Sequence, residues 1–423
     1  MRNISQGFNL IIVALLTSIT TGVLGGCATT TPALAQAPIK SPSATSNAKT
    51  EAASEDGQPP EPALPNVELT ADLLNDLLLA DVASKRGHFD KAVALYADLA
   101  QNTKDPRLAA LATRTAQFAR RDDVAVKTGE LWVKLDPENI DARQMLAALY
   151  IRTGDRERAL QHFEKILNAS EKSAENGYMV IAGLLSREKD KKAALEVMKQ
   201  LADMHPEDAD GAFAYSNLAV RLGELDEALS AVDHALTIRP DWVSAVVHKS
   251  RVLQAQGKIV PSLNFLKDAV TRSPDVAEYR LVYARALADA DRFVEAYDQF
   301  KKLDEIKPGD EDIKFALGFL ALQIGLLDDA ERHFMAIKDR SSRSSEIYYY
   351  LGRLEEERGN DKKAKAWYQA IADGEHYLNS QIRVIVINAR NGQMDEARAL
   401  IDTLKQQRPA QRLRLYLVEG EVL

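Results

Sequence analysis

The sequence predicts an all-α fold, a solenoid of stacked helical hairpins, and three observations carry that expectation. Prolines recur at Pro206, Pro240, Pro274 and Pro308, each 34 residues after the last. Other positions keep the same beat. With proline at position 32 of the unit, position 15 holds Gly223, Gly257, Asp291 and Gly325, and position 20 holds Ala228, Ser262, Ala296 and Ala330. Position 24 holds Val232, Leu266, Phe300 and Phe334, and position 27 holds Ala235, Ala269, Leu303 and Ile337. Finally, each unit reads as two segments of about a dozen residues with apolar side chains at i, i+3, i+4 and i+7, the spacing of one helix face. A fixed period with small, aromatic and proline positions in register is the mark of a helical repeat.

Each position has a physical reason. Small residues at positions 8 and 20 let the two helix backbones approach, and the large residue at 24 fills the space beside them. Glycine at 15 ends the first helix because it adopts a left-handed conformation without a Cβ clash. Proline at 32 cannot continue the second helix and so sets the turn into the next unit. One hairpin cannot bury its own apolar face, so units must stack. In the stretch 277–310, Tyr283-Ala284, Leu287, Ala296, Phe300 and Pro308 resemble the tetratricopeptide repeat. That resemblance implies a right-handed α-α superhelix of helix-turn-helix repeats, a concave groove lined by the first helix of each unit, and a role in binding proteins.

The amino-terminal segment differs in kind. Arg2 precedes an apolar stretch from Phe8 to Leu24, which has signal-peptide length and is short for a membrane span. Leu24-Gly25-Gly26-Cys27 resembles a bacterial lipobox, which implies lipidation of Cys27, and Ala28 in the next position implies sorting to the outer membrane with the protein facing the periplasm. Cleavage after Ala33-Leu34-Ala35 is the alternative and would leave a soluble periplasmic protein. Cys27 is the single cysteine, so there is no intramolecular disulfide. Residues 1–26 are thus read as a signal peptide and 27–65 as a disordered tether. Seven of the fifteen prolines fall between Ala28 and Pro65 with almost no large apolar residue. As a coil that tether reaches on the order of 35 Å.

About ten repeats are expected over residues 66–409. Thr70 is placed to cap a helix from Leu73 to Arg86 that ends at Gly87, and Ala80, Ala92 and Tyr96 fall on positions 8, 20 and 24. The second unit is weaker, because Arg120 and Gly129 replace the usual residues, and irregular packing is expected there. Leu146, Ala147, Tyr150, Gly154, Ala159 and Phe163 mark the third. The fourth carries one extra residue before Pro206, and regular units begin at Ala209, Val243, Ala277 and Glu311. Tyr348, Gly352, Gly359, Ala364 and Tyr368 mark the ninth. In the tenth, Ile385 stands where a small residue is expected. Pro261 falls in a first turn, where amides lack an intrahelical partner. A last helix over 410–423 has no second helix to cover it, and is read as a cap or as part of an incomplete repeat.

Composition and motifs narrow the function. With 54 basic and 62 acidic side chains the net charge is −8, and removing residues 1–26 takes only Arg2, leaving 53 against 62, or −9. That balance argues against nucleic-acid binding, which needs a basic footprint. No phosphate-binding loop, nucleophile elbow or H-E-x-x-H motif is present. The seven histidines are scattered singly, without metal-ligand spacing, and Glu355-Glu356-Glu357 reads as a solvated helix face. An enzyme, a cofactor, a metal and a small-molecule substrate are therefore not expected.

The groove is the candidate site. By the family's pattern, positions 2, 5, 9, 12 and 13 face it. Position 13 holds Arg152, Arg187, Arg221 and Arg390; position 9 holds Asn217, Arg251, Arg285 and Arg353; Phe213, Phe315, Phe319 and Tyr349 also fall on groove positions. An acidic chain would thus turn arginines inward beside aromatic rings, a combination suited to peptides carrying carboxylates or a free C-terminus. The alternative is that arginines near helix C-termini simply answer the macrodipole and are solvated. Charge reversal of Arg251 and Arg285 together is expected to weaken partner capture with helicity retained.

A narrower resemblance comes from Leu69-Thr70, Leu73-Leu74, Arg86-Gly87, Tyr96, Leu99-Ala100, Thr103, Asp105-Pro106-Arg107-Leu108-Ala109 and Leu131-Trp132-Val133. These resemble the amino-terminal repeats of a proteobacterial lipoprotein family that includes an adaptor of a carboxy-terminal processing protease. The resemblance implies a scaffold that brings such a protease to peptidoglycan hydrolases. The alternative is an assembly factor for an envelope secretion, polysaccharide-export or peptidoglycan-synthesis machine.

Overall fold

The structure is a computed structural model that describes residues 65, 67–170, 176–339 and 341–422. The leader 1–26, Cys27 and the proline-rich segment up to residue 64 lie outside the described residues. Regular structure among the described residues is helical throughout, with no strand, as an all-α repeat requires. The chain divides into two compact units between Ala245 and Val246.

The N-terminal unit is built from five hairpins. α1 (Ala71–Lys85) pairs with α2 (Phe89–Thr103), α3 (Pro106–Phe118) with α4 (Asp122–Leu135), and α5 (Ile140–Thr153) with α6 (Arg156–Ser170). α7 (Gly177–Leu185) and α8 (Lys191–Asp203), then α9 (Ala209–Leu222) and α10 (Leu225–Ile238), complete it. α11 (Val243–Ala255) carries the boundary. The C-terminal unit continues with α12 (Ile259–Arg272), α13 (Ala277–Asp289), α14 (Phe293–Ile306), α15 (Glu311–Gln323) and α16 (Leu327–Ile337). It ends with α17 (Ser344–Glu357), α18 (Asp361–Gln369), α19 (Tyr377–Arg390), α20 (Met394–Gln407), a 3-10 turn at Pro409–Gln411 and α21 (Arg412–Val422).

Local chemistry sets these boundaries. Thr70 has extended backbone and its Oγ1 accepts the Leu73 amide at 3.2 Å, so the expected cap is present. Asp105, Asn139, Asn176, Asp190, Asp208 and Asp310 cap other first helices or hairpin partners in the same way. The turn inside the hairpins holds a left-handed residue, except between α7 and α8, where none occurs. Gly223 supplies it at φ 90°, and Asp291 and Arg120 take the same conformation at φ 57° and 58°. Arg120 therefore keeps the turn in the unit whose packing was expected to be irregular. Before the repeating prolines the backbone is forced out of the helical region, at Arg239 (φ −130°), Ser273 (φ −131°) and Lys307 (φ −124°). That is why each second helix stops there.

Packing follows the small-and-large rule. A Cβ on Gly352 would fall 2.5 Å from the Tyr368 ring, and one on Gly318 would fall 2.8 Å from Phe334. Both rings are fully buried, so the missing Cβ is the space they occupy. Where position 8 is serine its hydroxyl is satisfied: Ser216 donates to the Ala228 carbonyl at 2.7 Å across the hairpin. Gly129 in the second unit leaves room for Leu146, whose Cδ1 would lie 3.2 Å from an added Cβ. The expected exception at Ile385 is resolved by exchange of volumes. Ile385 is fully buried against Ala397, Ile401 and Leu404, where a smaller residue stands opposite than Tyr368 does at Gly352. In α21, Leu415 is buried on that same cluster while Leu413, Tyr416 and Leu417 are exposed.

One expectation is corrected. Glu355 and Glu356 do not form a solvated face: Glu355 is buried, accepting from Arg358 at 3.0 Å and Asn360 at 2.8 Å. The Glu356 carboxylate accepts from the Tyr368 hydroxyl at 2.7 Å and from Arg383 at 2.8 Å. Only Glu357 of the three is exposed. Acidic residues adjacent on a helix point to different faces, so a run cannot be read as one surface.

Candidate functional site

In the N-terminal unit a cleft of about 1000 Å³ opens between α3, α5 and α7, and both Arg152 and Arg187 line it. Each is placed there by its position in the last turn of a first helix or just beyond it. Arg152 is engaged, with Nε 3.3 Å from Glu188 and Nη1 3.7 Å from Asp122. Burial pushes the Glu188 carboxyl up, and the Arg152 cation beside it opposes the shift. Arg187 is exposed and has no carboxylate partner among the described residues. On the cleft wall the Arg114 guanidinium sits 5.4 Å over the Trp132 ring.

Elsewhere in that unit Arg221 is exposed, again without a carboxylate partner among the described residues. Phe213 lies 4.4 Å from Trp242, whose ring is covered at 4.4 Å by Arg239. Asn217 donates its side-chain amide to the Phe213 carbonyl at 2.8 Å, one turn back in its own helix, so part of its capacity is already used.

The C-terminal unit disposes of its arginines differently. Arg251 is exposed without a carboxylate partner among the described residues. Arg353 faces Glu357 at 3.6 Å, and Arg390 is ion-paired with Asp361. Tyr349 sits within an aromatic group, 5.7 Å from Tyr350, 5.8 Å from Tyr368 and 5.2 Å from His376. Burial lowers the affinity of His376 for a proton, while Glu375 pulls the other way.

Arg285 is the exception. Only 8% of it is exposed, and its buried Nε and Nη2 have no acceptor among the described residues. It lines a slot of about 150 Å³ between α13 and α15, with Phe315 and Phe319 on the facing helix and Phe300 and Leu303 of α14 behind. Burial holds the guanidinium below its ordinary range, with the nearby Arg251 adding to the shift and Asp312 and Asp289 opposing it. Arginine nevertheless stays cationic at any physiological pH. A buried reversal at Arg285 would place a carboxylate among apolar walls, so paired reversal with Arg251 perturbs folding as well as the groove.

The predicted residues thus separate. Arg285, Phe315 and Phe319 converge on one slot, and Arg152 with Arg187 on one cleft; the others stand apart from both. The sequence reading missed Leu281 and Arg343, which also line the slot. Leu281 falls on position 5, a groove position that could have flagged it. Arg343 lies in the irregular connection before α17, where the repeat numbering gives no guide. Its guanidinium lies 5.3 Å from the Phe315 ring and 3.1 Å from Asp312.

Comparison with known proteins agrees with the architecture. Family models described as tetratricopeptide repeat match residues 184–241, 250–311 and 315–375, and another of the same description matches 140–173. A TPR repeat-containing protein of Pseudomonas aeruginosa is 28% identical over 352 residues, covering 83% of this chain and 59% of that protein. The mitochondrial import receptor subunit TOM70 of Homo sapiens is 22% identical over 237 residues, covering 53% of this chain and 39% of that protein. The chain therefore spans less than two thirds of the length of both relatives. Among solved structures, YrrB, described as a TPR protein with an unusual peptide-binding site, is 21% identical and covers 42% of this chain and 91% of its own, with a TM-score of 0.31. MamA from Desulfovibrio magneticus RS-1 is 20% identical, covers 38% of this chain and 92% of its own, and has a TM-score of 0.32.

Proposed function

From the premise that this chain belongs to the tetratricopeptide repeat family, we propose that it is a non-enzymatic scaffold that binds partner proteins along the first helices of its repeats. The observation that carries this reading is the set of exposed guanidinium groups left unmatched on those helices or just past their ends. Arg187, Arg221 and Arg251 have no carboxylate partner among the described residues, although the chain has more acidic than basic side chains. An exposed cation needs no internal partner to be stable, but several on one helix class give an acidic partner a place to pair. Weak contacts spread over several repeats sum to useful affinity.

The scaffold is tethered through Cys27 to the outer membrane and faces the periplasm, a reading that rests on the lipobox-like Leu24-Gly25-Gly26-Cys27. No helix among the described residues is long and apolar enough to cross a membrane. The motifs between Leu69 and Val133 support a partner of the carboxy-terminal processing protease class, recruited together with cell-wall hydrolases. Two experiments test the reading. Cys27→Ser is expected to abolish incorporation of labelled palmitate, and unchanged labelling would end the lipoprotein assignment. The full chain, cross-linked in envelopes, is expected to capture a protease and its hydrolase substrate, with loss of capture in the triple variant Arg187→Glu, Arg221→Glu, Arg251→Glu. Capture of a secretion or polysaccharide-export component would point to an assembly factor instead. Undiminished capture by the triple variant would remove the groove from the account.

A further inference from the structure

The outer face of α1 carries side chains of the kind that stacking buries elsewhere in the array. Toward α2, Leu77, Ala80 and Ala83 join the core of the first hairpin. On the other side Leu74, Leu78 and Val82, one turn apart, are 42%, 57% and 43% exposed, and the exposed Leu79 stands beside them. Val67 and Leu69 extend the apolar strip past the start of the helix. Val82 occupies position 10 of its unit. That position is buried at Leu149, Leu218, Ala286 and Leu320, where the preceding hairpin lies against the first helix. Among the described residues no hairpin precedes α1. Leu78 and Val82 stand at positions 6 and 10, so this is the stacking face and not the groove.

The charges on that face select its occupant. Glu68 and Asp72 lie at the start of α1, Lys85 and Arg86 at its end, and all four are exposed. Lys85 pairs with Asp81 at 2.7 Å inside the helix, and Arg86 has no carboxylate partner among the described residues. A membrane surface is a poor match, because anionic headgroups repel the acidic end and a surface-lying helix carries Lys and Arg along its whole polar flank. A helix acidic at its start and basic at its end is matched by itself running the opposite way. That arrangement also sets the two macrodipoles against each other.

We propose that two copies of this chain pair through antiparallel α1 helices about a two-fold axis at Leu78. Residues equidistant from the axis face each other, so Leu74 of each copy meets Val82 of the other. Asp72 and Arg86 lie on one flank of the helix, and each is carried toward the opposite charge of the other copy. Such an interface is isologous and closes as a dimer. The patch is at the small end of stable interfaces, which bury roughly 800 Å² per partner, so a Kd on the order of 10 μM is expected. A chain tethered to a surface meets its copies at raised effective concentration, and weak pairing is then sufficient. The dimer leaves the groove open and stands independently of the scaffold reading.

Cross-linking tests the axis. In envelopes holding the full chain, Leu78→Cys oxidised with copper phenanthroline is expected to give a covalent dimer above the background of the unaltered chain. Leu74→Cys alone and Val82→Cys alone should give none. Each would lie about 12 Å along the pair from its own counterpart, beyond the ~7 Å that a disulfide spans. Co-expressed, those two variants should cross-link to each other. For the purified full chain in nonionic detergent, sedimentation equilibrium is expected to show monomer and dimer only. Leu78→Asp should raise the dissociation constant at least tenfold with helicity and unfolding midpoint unchanged, because that side chain is exposed in the single copy. Arg86→Asp should raise it about threefold, and Asp72→Arg added to that variant should restore it. A chain that stays monomeric up to about 100 μM would overturn the dimer. So would cross-linking of Leu74→Cys with itself, which marks a parallel pair, or linkage of Leu78→Cys only to a different protein. Higher oligomers abolished by Leu417→Asp in α21 would replace it with an end-to-end contact. Partner capture is expected to survive Leu78→Asp, so the dimer and the scaffold fail separately.

Discussion

Arg152 and Arg285 both occupy groove positions of a first helix, yet their surroundings are opposites. Arg152 reaches two carboxylates from neighbouring repeats and remains partly solvated. Arg285 is enclosed by Leu281, Phe315 and Phe319 and has two donors without an acceptor among the described residues. The first arrangement satisfies itself. The second leaves desolvated donors unsatisfied, and a buried cation held in that state lowers the stability of the fold around it. An arginine in a repeat pattern is therefore informative only when its acceptors are known.

Substitutions can sharpen that contrast, beginning with a third arginine that stands between the extremes. Arg383 and the Tyr368 hydroxyl both depend on the nearly buried Glu356 carboxylate. Glu356→Leu should destabilise the C-terminal unit by about 3 kcal/mol, discounted because Arg383 is itself two-fifths exposed. The readout is the urea midpoint, and an unchanged value would mean that matched buried charges matter little here.

Next in size is Glu346 in the first turn of α17, whose carboxyl is pushed up to about 7 by burial, with Glu375 reinforcing the shift and Arg343 opposing it. The folded state therefore holds this proton more tightly than the unfolded chain does. Stability from this group is fully present below pH of about 4.5 and is lost as pH rises towards 7 and beyond, by roughly 2 kcal/mol after allowance for partial exposure. Glu346→Gln should flatten the slope between pH 5 and 8 and raise the midpoint at pH 8. A wild-type slope in that variant would assign the pH dependence to other groups.

Smaller effects of opposite sign separate the two original sites. Arg285→Met should leave stability unchanged or raise it by about 1 kcal/mol, since an apolar isostere replaces an unmatched buried cation. Arg152→Met should lower it by roughly 0.5 kcal/mol, the usual scale for a partly exposed pair, and the loss should shrink in high salt. Equal effects at the two positions would erase the distinction.

Much of the architecture was legible in the residues. The proline period placed the ends of α10, α12 and α14, because at Arg239, Ser273 and Lys307 the following proline drives the backbone out of the helical region. The turn positions were legible even where glycine was replaced, since Asp291 and Arg120 take the same left-handed conformation. The site was legible only in part. Phe315 and Phe319 were on the expected face, but pattern counting could not distinguish an arginine matched by Glu188 or Asp361 from one without an acceptor. Those carboxylates lie 36 and 29 residues from their arginines, Glu188 in the turn after α7 and Asp361 at the start of α18, outside any local window. Glu356 was misread for the same reason, its partners being Tyr368 and Arg383, whereas the Glu355 partners Arg358 and Asn360 are local.

What the residues alone determined is the repeating hairpin, because chain stiffness at proline, left-handed turns and helix-spaced apolar side chains act over a few neighbouring positions. What only the tertiary structure decided is which charges are matched, because burial and pairing depend on groups brought together from separate repeats. Desolvation at Arg285 and the carboxylates beside Arg152 exist only once those repeats have stacked.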